Sequence, residues 1–317
     1  MKKLVLIGGG EIGKGQTSYE TENIDKEIVK MSEKENPNLL FIGLASSYSD
    51  SYYDLIKKIY KNLGCECAYL KKKNVINNPD IVKNKILNAD IIYIGGGDTI
   101  KLMEVVKEYE IDKLLQEAYE KGTVLVGISA GGILLSKEGY SDSLILRGES
   151  DKYAFIDGLG FVNISFCPHY NADDNKKSSL FNDLENTSKE VYGVENCSAI
   201  KMIDDKISVI KSKETANVWK IKFEKNVVEE NEDKKYIRRE RSVSECTRDF
   251  YVGDIDESSI KASFKDGILT ISVPKEEDKK VATITYSPNQ QSNYLASQII
   301  NKVVTATEME LQSKVGK

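Results

Sequence analysis

Gly127-Ile-Ser-Ala-Gly131 places a serine midway between two glycines. Glycines at that spacing let a strand and a helix approach closely around a strained turn that exposes the serine hydroxyl, the geometry of a nucleophile elbow. A serine hydroxyl is a weak nucleophile at neutral pH. It needs a base within hydrogen-bond reach, and the base needs a third group to hold its tautomer. The chain contains one histidine, so any imidazole base is His169, and a histidine-rich metal site or a relay between two imidazoles is excluded. Gly95-Gly-Gly-Asp-Thr99 supplies backbone that a ligand can approach, and it makes Gly97 the candidate for one oxyanion-binding amide, with Ala130 giving the other. Each motif alone would equally suit a turn of small residues kept for packing, and a lone histidine is commonly a packed side chain. The order serine, acid, histidine on an α/β background favours chemistry.

The elements that must position these residues follow from periodicity. Residues 2–8, 38–45, 65–70, 90–94, 124–126 and 162–167 are short apolar runs of the kind that form buried strands. Helical spacing of apolar residues marks 24–32, 52–63, 79–89, 100–107 and 111–121 between them, and Lys71 to Lys73 suits a solvated loop. Strands alternating with helices predict a mostly parallel, doubly wound sheet covered on both faces. In such a sheet the strand ends carry the site, and Gly95, Ser129 and His169 each lie just past a predicted strand. Gly8, Gly9 and Gly10 also end a strand. The polar stretch from Lys14 to Asn23 then separates them from the next helix, so a loop closing one side of a pocket fits better than a dinucleotide site.

The chain is 317 residues long, 40% hydrophobic and 30% charged, with a net charge of −5. This describes a globular protein of about two units with no electrostatic reason to bind nucleic acid. No run reaches transmembrane length, and the apolar stretch after Met1-Lys-Lys3 is too brief for a signal sequence. The cysteines at 65, 67, 167, 197 and 246 are odd in number and lack zinc-type pairing, which fits reduced thiols in a cytoplasm and neither metal nor cofactor.

From Met1 to about Ile221 the chain resembles the dipeptidase E and cyanophycinase family of serine peptidases, on Gly95-Gly-Gly-Asp-Thr99, Gly127-Ile-Ser-Ala-Gly131 and Cys167-Pro-His169 in that order. The resemblance implies a class I glutamine amidotransferase-like fold, Ser129 as nucleophile, His169 as base, Gly97 and Ala130 as oxyanion donors, and hydrolysis through an acyl-enzyme. It also implies an aspartate between serine and histidine. Asp142 is the natural counterpart, with Glu149, Asp151 and Asp157 as competitors. Family members act on short acidic peptides, so Arg147, Lys176, Lys177, Asp98 and Thr99 are the residues to consider for substrate. Each charged one would equally suit a solvated surface.

Beyond Lys222 the composition changes. A charge-dense stretch leads to 236–241, 249–253 and 260–274, which alternate with period two and predict antiparallel strands joined at Asp266-Gly267. Phe264-Lys-Asp-Gly-Ile-Leu-Thr270 resembles the α-crystallin domain of small heat-shock proteins, but room for the early strands is missing, so the expectation is half a sandwich. The expected domains are 1–221, 222–280 and an unassigned 281–317 with a strand at 281–286 and a helix at 294–305. Expected partners are a short peptide, a second copy of the chain, and unfolded-protein clients, with no nucleic acid or membrane. The rival readings are a chaperone-like interaction protein and an inactive amidotransferase-like scaffold.

Overall fold

The computed structural model describes residues 1–222 except 14, 48, 186 and 188, and the backbone of 239–242, 261–265, 268–274 and 281–286. Predictions for 223–238, for 249–253, for the Asp266-Gly267 turn and for a helix at 294–305 lie outside the described residues.

The chain divides into two compact units, Met1–Asn182 with Val191–Val218, and Asp183–Glu190 with Trp219–Lys317. The elements run β1 (Lys3–Ile7), α1 (Glu22–Met31), β2 (Asn38–Ile42), α2 (Ser49–Asn62), β3 (Glu66–Leu70), α3 (Lys72–Asn77), α4 (Pro79–Leu87), β4 (Ile91–Ile94), α5 (Thr99–Glu108), α6 (Ile111–Glu120) and β5 (Val124–Ile128). They continue with α7 (Ala130–Leu135), β6 (Ser136–Ser141), α8 (Ser143–Leu146), β7 (Ala154–Asp157), β8 (Val162–Cys167), α9 (Asp174–Leu184), β9 (Glu190–Val194), β10 (Ser198–Ile203), β11 (Lys206–Lys211) and β12 (Val218–Lys222). The last four are β13 (Arg239–Ser242), β14 (Lys261–Lys265), β15 (Ile268–Pro274) and β16 (Val281–Tyr286).

The main sheet of the first unit has the order β11-β10-β1-β5-β4-β2-β3, with β1 to β5 mutually parallel and β10 and β11 antiparallel. Side chains alternate along each central strand between two separate cores. Leu4, Leu6, Ile92, Ile94 and Leu125 join Val82, Leu102, Leu115 and Leu134 on one face. Val5, Ile7, Ile91, Tyr93 and Val126 join Ile24, Ile28, Ile56 and Tyr60 on the other. Strands buried on both faces must be apolar throughout, which is why they read as continuous hydrophobic runs. Each of these fully buried aliphatic side chains contributes about 1.5–3 kcal/mol relative to exposure. A smaller group of strands carries the chain beyond the elbow, with β8 parallel to both β6 and β9, and β7 antiparallel to β6.

One local expectation is corrected. Lys71 to Lys73 do not form a loop, because α3 begins at Lys72, on the strength of Val75 burying itself in the core. The helix after the elbow stops at Leu135 and turns directly into β6, where Tyr140 is fully buried.

In the second unit β12 pairs antiparallel with β13, β14 with β15, and β15 with β16, while β13 and β16 are parallel. The β14–β15 register pairs Lys265 with Ile268.

Candidate active site

The carboxyl end of β1 organises the site. Three successive carbonyls there accept amides from three different loops: Ile7 O from Ser129 (3.1 Å), Gly8 O from His169 (2.9 Å) and Gly9 O from Cys197 (2.9 Å). Each donor residue has a positive φ, 53° at Ser129, 53° at His169 and 66° at Cys197. Non-glycine residues in this region cost of order 1–3 kcal/mol each and persist where their surroundings over-determine them. Three such residues docked on one strand end mark a built site.

Ser129 follows β5 and precedes α7, whose first hydrogen bond runs from Ile133 N to Ser129 O at 3.0 Å. The elbow glycines are required by contact. A side chain at Gly127 would strike the Gly131 carbonyl, and one at Gly131 would strike that of Ile94. The glycine triplet lies alongside, since a Cβ at Gly96 would sit 3.1 Å from Ser129 Cβ. Tyr52 packs against the triplet, since a Cβ at Gly95 would sit 2.9 Å from its ring. Among the described residues the amides of Gly97 and Ala130 have no hydrogen-bond partner.

His169 follows β8 and Pro168, and its Nδ1 lies 2.7 Å from Asn196 Oδ1. An amide oxygen only accepts, so Nδ1 carries the proton and Nε2 is left with a free lone pair. Asn196 is anchored in turn by its amide on Asn171 Oδ1 (2.9 Å). Gly9, at φ 150°, makes room for this pair, because a side chain there would strike both His169 and Asn196. Burial, opposed by the Asn196 hydrogen bond, pushes the imidazole below its ordinary pKa; Lys176 adds to the depression and Asp142 opposes it.

The expected acid does not make this hydrogen bond. Asp142 is exposed, stands at the N-cap position of the four-residue α8 without a side-chain cap bond, and reaches His169 only as a through-space charge. Glu149 pairs with Arg147, and Asp151 and Asp157 are exposed. Asn196 escaped notice because the expected third member lay between serine and histidine in sequence. Its position just past β9, in line with the other strand ends, is the signal that could have found it.

The residues considered for substrate are engaged elsewhere. Arg147 faces Glu149 (2.7 Å), Glu104 (3.6 Å) and Asp98 (3.7 Å). Asp98 caps α5 through the amides of Ile100 and Lys101. Thr99 is buried and bonds Ser141 and Ser143, tying α5 to β6 and α8. Lys176 is buried, whereas Lys177 pairs with Asp174 at the surface. A cavity of about 230 Å³ lined by Gly10, Glu11, Ile12, Ser46, Ser51, Tyr52 and Leu55 lies beside the glycine triplet, joined to it through Tyr52. Among the described residues no group of side chains could hold a metal, and no helix is long and apolar enough to cross a membrane.

Two families of known proteins resemble this chain. Residues 198–285 match the Hsp20/alpha crystallin family. A stretch of 52 residues is 50% identical to the 18 kDa heat shock protein of Clostridium acetobutylicum, covering 16% of this chain and 34% of that protein. The uncharacterized peptidase YgaJ of Bacillus subtilis is 28% identical over 73% of this chain and 96% of its own length. A putative peptidase E of Listeria monocytogenes shares the fold, with a TM-score of 0.53 and 21% identity over 67% of this chain and 98% of that one. The Peptidase family S51 model matches residues 4–210, more than half of the chain, which is therefore a serine-type peptidase belonging to that family.

Proposed function

We propose that this peptidase hydrolyses short peptides, as an exopeptidase of the dipeptidase type, through an acyl-enzyme on Ser129. The observation that carries the reading is the docking of the Ser129, His169 and Cys197 amides on three consecutive carbonyls of one strand end, with Asn196 holding Nδ1 of the base. His169 Nε2 takes the proton from Ser129 Oγ as the hydroxyl attacks the scissile carbonyl. The tetrahedral oxyanion is met by the unpaired amides of Gly97 and Ala130, each such donor accounting for about a hundred- to a thousandfold in rate. The imidazolium returns its proton to the leaving amine, and water then releases the acyl group with the same base.

Relatives described as peptidase E support the dipeptidase reading. An acidic side chain would have to compete for Arg147 with three carboxylates already facing it, so we assign no aspartyl preference to that residue. Ser129→Ala should lower kcat/KM on a dipeptide panel by at least about a thousandfold, while circular dichroism and Tm remain those of a folded protein. Full activity in that variant would end the assignment.

The match to small heat-shock proteins supports a second role, binding of unfolded clients by the C-terminal strands. In an aggregation assay with a thermally unfolded client, full-length Ser129→Ala should protect as well as the wild type. Protection that vanishes with the serine would instead trace it to the hydrolytic site.

A further inference from the structure

Lys176 is a buried cation, 5% exposed, with no carboxylate at ion-pair distance among the described residues. Its Nζ donates to the carbonyl of Pro168, the residue before His169, at 2.8 Å. It lies 5.6 Å from the centre of the Tyr153 ring. The Tyr153 hydroxyl donates to Asp173 Oδ2 at 2.5 Å, and Asp173 Oδ1 accepts the Asn175 amide at 2.8 Å, at the start of α9. The ammonium thus links the histidine turn to an aromatic and carboxylate support behind it. Burying an ammonium that bonds one carbonyl and feels Asp173 only through space costs free energy, so its place beside the histidine turn calls for a reason.

We propose that Lys176 is a positioning residue of the active centre: its ammonium, bonded to the carbonyl that precedes His169, fixes the Pro168-His169 turn and places a positive charge next to the base. This rests on His169 acting as the base. The charged and titratable groups facing the imidazole are Lys176, which opposes its protonation, and Asp142, which favours it, with burial and the Asn196 hydrogen bond setting the rest of the balance. Cys167, beside the same ammonium, is held neutral by burial. Opposing the imidazolium also makes it a stronger acid, which aids proton return to the leaving amine.

The chain has a single histidine, so its imidazole gives one resonance in a proton NMR titration, with no assignment problem. In the Ser129→Ala background, adding Lys176→Met should move the midpoint of that titration upward by on the order of one pH unit. Adding Lys176→Arg, which keeps the charge, should leave it in place. In the enzyme with Ser129 intact, Lys176→Met should move the acid limb of kcat/KM upward by the same amount. An unmoved midpoint in Lys176→Met overturns the proposal, as does a shift that Lys176→Arg reproduces. Lys176→Gln takes the same readings if Lys176→Met does not fold. A wild type that hydrolyses no peptide would defeat the functional reading while the titration still decided the role of Lys176.

Discussion

Asn196 orients the imidazole without giving it a countercharge. A carboxylate in its place would fix the same tautomer and also stabilise the imidazolium. Asn196→Ala removes one buried hydrogen bond, about 1–3 kcal/mol, and should lower kcat/KM by about 5- to 150-fold. Asn196→Asp should instead raise the imidazole pKa, so the acid limb of the pH profile moves up and activity at mildly acidic pH falls relative to that at pH 8. An acid limb unchanged in Asn196→Asp would show that Nδ1 does not face this residue in the working enzyme. Together with Lys176, these changes would show that the basicity of His169 is set from both ends of its surroundings.

At the level of elements, α1 is tied to α2 and to its own entry segment through a buried carboxylate. Asp25, on α1, accepts hydroxyl hydrogen bonds from Thr21 (2.7 Å), Tyr60 (2.7 Å) and Tyr19 (2.9 Å) and is 1% exposed. Burial outweighs these donors and raises its pKa to about 6. The folded chain therefore holds a proton on Asp25 more tightly than the unfolded chain does. The resulting stability is fully present below about pH 4 and is lost as pH rises through about 6, a change of about 3 kcal/mol. Urea denaturation of the wild type and Asp25→Asn should show this: the stability of wild type relative to the variant falls by about that amount between pH 4 and pH 8. Parallel pH profiles for the two proteins would place the titration elsewhere.

At the level of the whole molecule, the strand ends that carry Ser129, His169 and Asn196 all belong to the first compact unit, while the heat-shock-like pairing of β14, β15 and β16 belongs to the second. Ile271 is in β15, with Ala262 of β14 on one side and Ile284 of β16 on the other. Proline at a position flanked on both sides removes a ladder donor and is not accommodated in a central strand. Ile271→Pro should abolish client protection while leaving dipeptide kcat/KM within about twofold of the wild type. Loss of both would make the two functions one cooperative property of the chain.

Ser129, His169, the glycine triplet and the alternation of strands and helices were legible in the sequence, because each is enforced locally. An elbow needs its glycines, a doubly buried strand needs unbroken apolar residues, and a chain with one histidine leaves no choice of imidazole. The antiparallel pairing of β14 with β15 was legible too, through period-two alternation over 260–274. Helix α3 and strand β6 were less legible, since a single buried Val75 or Tyr140 is decided by what packs against it. Only the tertiary structure places Asn196, and not Asp142, within hydrogen-bond distance of His169 Nδ1: they stand 27 residues after and before His169, and no local rule weighs one against the other. The choice was made where the Ile7, Gly8 and Gly9 carbonyls gather three distant loops, and the same folding buried Lys176 behind the imidazole. Proximity across a sheet is fixed by strand order and register, which a linear pattern of residues does not contain.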